Sequence, residues 1–167
     1  MLRPFTTEDA APVQTLAGVA AVAATTLNLP HPYPDGAAAA WISTHPAAVA
    51  EGKAYTWAIV RAEDALLLGA LTLAVERHHA RGELGYWLGV PYWNRGYTTE
   101  AVRRVLVFGF HELRLHRIES TCFPRNRASS RVLEKAGLRY EGLLRGYVRK
   151  DAKFEDVALY AAIDEHW

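Results

Sequence analysis

The sequence predicts a mixed α+β domain organised around a central β-α-β unit, and three observations carry that expectation. Strand-like and helix-like segments interleave along all 167 residues, with no linker or internal repeat between them. An aromatic-rich run over residues 83–88 passes through a basic glycine turn into a strongly apolar helical stretch. A later helical stretch ends at Gly137, and two strand-like segments follow it in succession.

The elements follow in order. Residues 2–5 suit a short strand. Thr6 and Asp9 have capping-box spacing, with Asp in place of Glu, for a helix expected to run to about Val22. Pro30, Pro32 and Pro34 make residues 28–36 a rigid loop. Asp35 is expected to cap a second helix through Trp41 and Ile42. Residues 55–60 and 66–75 have strand composition, and residues 61–65 read as the turn between them. A polar loop over 76–82 leads to a strand over 83–90, then a helix over 101–113. A strand over 116–123, a helix over 126–136 and strands over 138–149 and 154–163 complete the chain. The order β-α-α-β-β-β-α-β-α-β-β gives a mixed sheet of about seven strands flanked by about four helices.

Composition narrows the function classes. Half the residues are hydrophobic and 22% are charged, with a formal net charge of +1, so no global electrostatic attraction to nucleic acid or membrane is expected. The single cysteine, Cys122, excludes an intrachain disulfide and fits a reducing compartment. Glu8 and Asp9 come too early for a signal peptide, and the alanine-rich stretches are too short and interrupted to span a bilayer. A cytoplasmic, single-domain protein is the expectation.

The most informative segment is Tyr92-Trp93-Asn94-Arg95-Gly96-Tyr97-Thr98-Thr99-Glu100-Ala101. A strand, a basic glycine turn and a helix start together make an anion site. The first N–H groups of a helix lack intrahelical partners, and the macrodipole adds partial positive charge there. Gly96 lets a phosphate approach the backbone, and Arg95 adds a full charge. The spacing fits neither a P-loop nor a dinucleotide-binding fingerprint.

The turn resembles the CoA-pyrophosphate loop of the GNAT superfamily of N-acetyltransferases, [QR]-x-x-G-x-[GA], which falls here on residues 93–98. Trp93 and Thr98 replace the usual residues at its two ends. The wider string is similar to that of the Rim-type branch, the ribosomal-protein alanine/serine N-acetyltransferases. Asn126-Arg127-Ala128-Ser129 through Glu134-Lys135-Ala136-Gly137-Leu138 resembles that branch's N-x-x-S-x-x-[LV]-x-E-K-x-G-F. Glu141-Gly142-Leu143-Leu144-Arg145 matches E-G-x-x-R, and Asp156 to Tyr160 matches D-x-x-x-Y. The likeness is good over residues 83–163 and loose before them.

The resemblance implies a GNAT fold with the sheet splayed between its fourth and fifth strands. It implies acetyl transfer from acetyl-CoA, as co-substrate and with no metal, to a primary amine, foremost a protein or peptide N-terminal α-amino group, by direct attack in a ternary complex. The pantetheine arm would pair with the first splayed strand, helped by a bulge near Leu88-Gly89-Val90. The cofactor set is then Leu88, Gly89, Val90, Arg95, Gly96, Tyr97, Thr98, Asn126 and Ser129. Glu83 stands where related enzymes carry a base, though it reads equally as a strand-end surface glutamate. The Leu88 N–H would serve as oxyanion donor. Many members place a tyrosine acid four residues before the closing glycine; Leu133 occupies that position here. Ser129, one helical turn earlier on the same face, is assigned to the departing thiolate, against a plain reading as a helix-end serine. Tyr33, Trp41 and Tyr86 are expected to line the acceptor groove, with core packing the competing role for their neighbour Trp87.

Other tempting residues have plainer explanations. Cys122 lacks an adjacent base to activate it. His78, His79, His111 and His116 lack zinc-ligand spacing. Arg125, Arg127 and Arg131 read equally as a solvated helix face and as a contact for the CoA 3′-phosphate or an acidic substrate. Two further functions stay open: acetylation of a small amine (polyamine, amino acid or antibiotic), and a catalytically dead acyl-CoA sensor. The sequence also leaves monomer and homodimer equally open.

Overall fold

The computed structural model describes residues 1–166. A single sheet forms the middle layer. Its strands are β1 (Leu2–Arg3), β2 (Ala54–Val60), β3 (Leu67–Glu76), β4 (Arg81–Leu88), β5 (Arg117–Cys122), β6 (Arg139–Lys150) and β7 (Lys153–Ile163), in spatial order β1-β2-β3-β4-β5-β7-β6. All neighbours pair antiparallel except β4 and β5, which run parallel. The expected α+β architecture with seven strands is therefore observed.

Helices cover both faces. On one side lie α1 (Ala10–Ala17), α2 (Ala20–Thr25), α3 (Ala37–Ser43) and α4 (His45–Ala50); on the other lie α5 (Tyr97–Val107) and α6 (Arg127–Ala136). Period-two alternation divides the strand side chains between two cores. Leu71, Leu73, Leu84, Leu88 and Ile118 pack with Val102, Leu106 and Leu133. Ala58, Val60, Ala70 and Trp87 pack with Val13, Ala17 and Ile42.

The N-terminal helices differ from expectation. The Thr6–Asp9 capping box is present, and Arg3 reinforces it through two hydrogen bonds to Asp9, at 2.7 and 2.8 Å. The first helix stops at Gly18 rather than reaching Val22; Val19 is extended, and α2 starts anew at Ala20. The second region breaks before Pro46, whose ring nitrogen has no hydrogen to give to a preceding turn. Asp35 does not cap α3. Gly36 occupies the N-cap in a left-handed conformation, and the Gln14 side chain accepts from Ala38 N–H at 3.3 Å instead. Gln14 also donates to the Pro34 carbonyl at 2.9 Å, which fixes the proline loop against α1.

The feature that makes a site is the divergence of β4 from β5. Their parallel pairing covers only Arg81↔Arg117, Gly82↔Ile118 and Glu83↔Glu119. β4 meanwhile stays paired with β3 from Arg81 to Leu88 without a register shift, so no bulge at residues 88–90 causes the split. Beyond that point each strand is held by its other neighbour, β4 by β3 and β5 by β7, with which it pairs along its whole length. Among the described residues no helix is long and apolar enough to cross a membrane.

Candidate active site at the sheet split

The split opens into a cleft of about 930 Å³ that reaches both faces of the sheet. β4 supplies its floor. Alternation turns Glu83, Gly85 and Trp87 toward the α1–α4 side and Leu84, Tyr86 and Leu88 toward the α5–α6 side. The backbone alternates too. Gly89 N–H donates to the Leu68 carbonyl on β3 at 2.8 Å, so the N–H of Leu88 points the other way, into the split. Two carbonyls on that side are already engaged. Ser120 Oγ donates to Leu84 O at 2.9 Å, and Trp93 Nε1 donates to Leu88 O at 2.7 Å.

The glycine turn feeds α5 directly. Asn94 (φ 60°) and Gly96 (φ 84°) both hold left-handed conformations on either side of Arg95. The first helical bond is Glu100 N–H to Gly96 O, at 3.1 Å, and no side chain caps the helix. The amides of Tyr97, Thr98 and Thr99 therefore lack helical acceptors. The space a Gly96 Cβ would enter is open, with no heavy atom within 4 Å. Arg95 is exposed on the cleft rim, while the Thr98 side chain is buried behind it. These features suit a pyrophosphate.

The third wall is the start of α6. Asn126 is its N-cap, accepting from Ser129 N–H at 3.1 Å and donating to Thr25 O at 3.3 Å. It thus links α6 to the end of α2. Lys150 Nζ donates to Thr26 O at 2.7 Å and holds the same segment from the β6–β7 turn. Ser129 Oγ lies 2.7 Å from the Tyr86 hydroxyl. Burial pushes the Tyr86 phenol well above its ordinary range, with the Ser129 hydrogen bond acting against it.

The structure gathers most of the residues singled out from the sequence. Glu83, Leu88, Arg95, Gly96, Tyr97, Thr98, Asn126, Ser129, Tyr33, Trp41 and Tyr86 all line the cleft. Gly89 and Val90 do not: Gly89 is buried against Leu16, and Val90 is turned to solvent. Tyr33 and Trp41 share the α1–α4 end with Trp87, whereas Tyr86 stands with Ser129 on the opposite face. Burial raises the Tyr33 phenol. Glu83 is exposed to the cleft and has no hydrogen-bond or ion-pair partner among the described residues. Beside it on β5, Glu119 is held by Arg117 at 2.7 Å.

Charge is segregated within the cleft. Among its charged lining residues Glu83 is the acid, and Arg95, Arg131 and Lys135 are the bases. Lys135 and the two tethers, Trp93 and Lys150, were not anticipated. Lys135 carried a usable signal, since it follows Arg131 by four residues on one helix face. Arg125 is spent elsewhere, paired with Glu155 and lying over the Phe123 ring. Cys122 is buried, its thiol pushed up by desolvation, with Ser130 Oγ at 3.6 Å; it is not an activated nucleophile. No His, Cys, Asp and Glu cluster suited to a metal ion exists among the described residues.

Comparison with known proteins agrees with this geometry. Residues 1–139 match the family described as acetyltransferase (GNAT) domain. The chain is 37% identical over 109 residues to the uncharacterized N-acetyltransferase YnaD of Bacillus subtilis, covering 65% of this chain and 64% of that protein. It is 39% identical over 112 residues to the probable N-acetyltransferase YjcK of the same organism, covering 66% and 62% respectively. The matches thus span somewhat under two thirds of these relatives. Among solved structures, Mycobacterium smegmatis RimJ in complex with CoA-disulfide superposes with a TM-score of 0.87 at 28% identity, covering 99% of this chain and 82% of that one.

Proposed function

The chain belongs to the acetyltransferase (GNAT) domain family, and from that premise we propose that it transfers an acetyl group from acetyl-CoA to the α-amino group of a protein or peptide N-terminus. One observation carries the reading. β4 remains an intact strand for five residues beyond its last pair with β5, at Glu83, and so offers free backbone groups to an extended ligand arm. The uncapped start of α5 and the open face of Gly96 suit the pyrophosphate at one end of that arm. Arg131 and Lys135 suit a further phosphate. The similar RimJ structure was solved with a CoA derivative, which supports the same ligand here.

When bound, acetyl-CoA supplies an activated acyl carbon with a thiol leaving group. The chain's own residues divide the remaining work. Glu83 receives the amine proton through water. Leu88 N–H donates to the carbonyl oxygen as it gains charge. The N–C bond forms, and the C–S bond breaks with its electron pair passing to sulfur. Ser129 O–H donates a hydrogen bond to that sulfur. The thiolate takes a proton from solvent, matching the one that leaves through Glu83, and departs as CoA thiol.

The acceptor follows from chemistry and lining. An α-amino group, with a pKa of about 7.7–8.0, is neutral in roughly a tenth of molecules at pH 7, against about one lysine in a few thousand. One exposed carboxylate assisting through water suits the former. The α1–α4 end of the cleft is aromatic and offers a single acid, which disfavours polycations such as polyamines. An acceptor panel with a thiol-release readout tests this: N-terminal Ala and Ser peptides should turn over well above spermidine and free amino acids. Preference for spermidine would reassign the acceptor. Acetyl-CoA binding without turnover on any amine would make the chain a sensor.

A further inference from the structure

Ser129 is held at two points. Its amide is fixed by the Asn126 cap, and its hydroxyl lies 2.7 Å from the phenol of Tyr86, 43 residues away on β4. The same phenol also approaches the Ser129 carbonyl, at 3.4 Å. One turn further along α6, Leu133 is fully buried and offers no donor. We propose that Tyr86 is a positioning residue for acetyl transfer: its O–H donates to Ser129 Oγ and leaves the serine hydrogen aimed at the departing sulfur. The proposal rests on the reading of Ser129 as the group facing that sulfur.

A serine hydroxyl has one hydrogen and two acceptor sites, and it rotates to suit its surroundings. On a helix it readily turns back onto a carbonyl one turn earlier, where it stabilises nothing in the cleft. A phenol donating into Oγ directs the serine hydrogen away from the phenol. It also polarises the serine O–H, so the chain of two hydroxyls donates more strongly than one. Burial keeps the phenol protonated, which makes it a permanent donor. Cys122 also lies beside the Ser129 hydroxyl; burial raises its thiol, and a neutral thiol is only a weak acceptor for the serine hydrogen. Tyr86 thus lines the cleft from the α5–α6 side of the sheet.

Four proteins test this: wild type, Tyr86→Phe, Ser129→Ala and the double variant, each with kcat, KM for both substrates, acetyl-CoA affinity and a melting curve. Tyr86→Phe should lower kcat about tenfold, the worth of roughly one hydrogen bond, with acetyl-CoA affinity unchanged. Ser129→Ala should lower kcat at least as much, and the double variant should be no slower than Ser129→Ala alone. Multiplying losses would overturn the proposal, because Tyr86 would then act independently. Normal turnover by Tyr86→Phe beside a slow Ser129→Ala would strike out Tyr86 and leave Ser129 standing. Normal turnover by Ser129→Ala would remove the serine reading, and this proposal with it. A fluorotyrosine at position 86, the same shape with a stronger donor, should keep or raise kcat; a fall would contradict the proposal even if Tyr86→Phe folds poorly.

Discussion

The Trp93 indole N–H donates to the Leu88 carbonyl at 2.7 Å, and this bond ties the glycine turn to the end of β4. The turn that suits the pyrophosphate and the strand that suits the pantetheine arm are thereby one unit. Trp93 occupies the first position of the glycine pattern, where Gln or Arg is usual in the family it resembles. An indole there serves the scaffold.

Trp93→Phe keeps most of the ring and removes the N–H. It leaves the Leu88 carbonyl without this partner, so a loss of about 1–3 kcal/mol is expected. The KM for acetyl-CoA should rise while kcat falls little, since the reacting groups stay in place. Denaturant melts and steady-state kinetics on the variant check both.

Gly96→Val should weaken CoA binding more than about tenfold. Gly96 sits at φ 84°, where a β-branched residue is strained, and its added side chain would enter the open space in front of the helix start. Calorimetry on a folded variant is the check; unchanged affinity would remove this turn from the site.

Glu83→Gln preserves size and removes the proposed base. Its kcat/KM should fall most at low pH, where less of the amine is already neutral, and approach wild type as pH rises above the amine pKa of about 8. A pH–rate profile parallel to wild type would leave Glu83 as a surface residue.

Local signals were the legible ones. Gly96 before a helix, Gly137 after one and the Thr6–Asp9 box each act within a few residues, and all three are present, although the helix behind the box ends at Gly18. The break at Pro46 was also local, but it was hidden inside an alanine-rich stretch that otherwise favours helix. Contacts between distant segments were not legible. Gln14 caps α3 from 24 residues away, and Tyr86 meets Ser129 across 43. Tyr86 lines the cleft, but not on the face of the other aromatic candidates, Tyr33 and Trp41. The alternation of β4 sends it to the other face, and that depends on which face the N-terminal helices cover.

Asp9 provides a stability test independent of the chemistry. Its hydrogen bonds to Arg3 hold its carboxyl below the usual range, against the opposing effect of burial. A depressed folded pKa stabilises the protein above the unfolded value of about 3.9, and that contribution disappears as pH falls through the folded value. Asp9→Asn should cost about 1–2 kcal/mol at neutral pH, mostly through the lost charge-assisted bonds to Arg3. Melting temperatures of variant and wild type should converge in strong acid.

Acetyl transfer to an α-amino group at the split between β4 and β5 can be tested on a single substrate. The most direct measurement offers one peptide carrying both a free N-terminal Ala or Ser and an internal lysine, with acetyl-CoA, and locates the acetyl group by fragment mass spectrometry. Acetylation is expected at the N-terminus, weakened in Gly96→Val and slowed at low pH in Glu83→Gln. Acetyl found on the lysine, or on neither amine while CoA thiol is released to water, would contradict it.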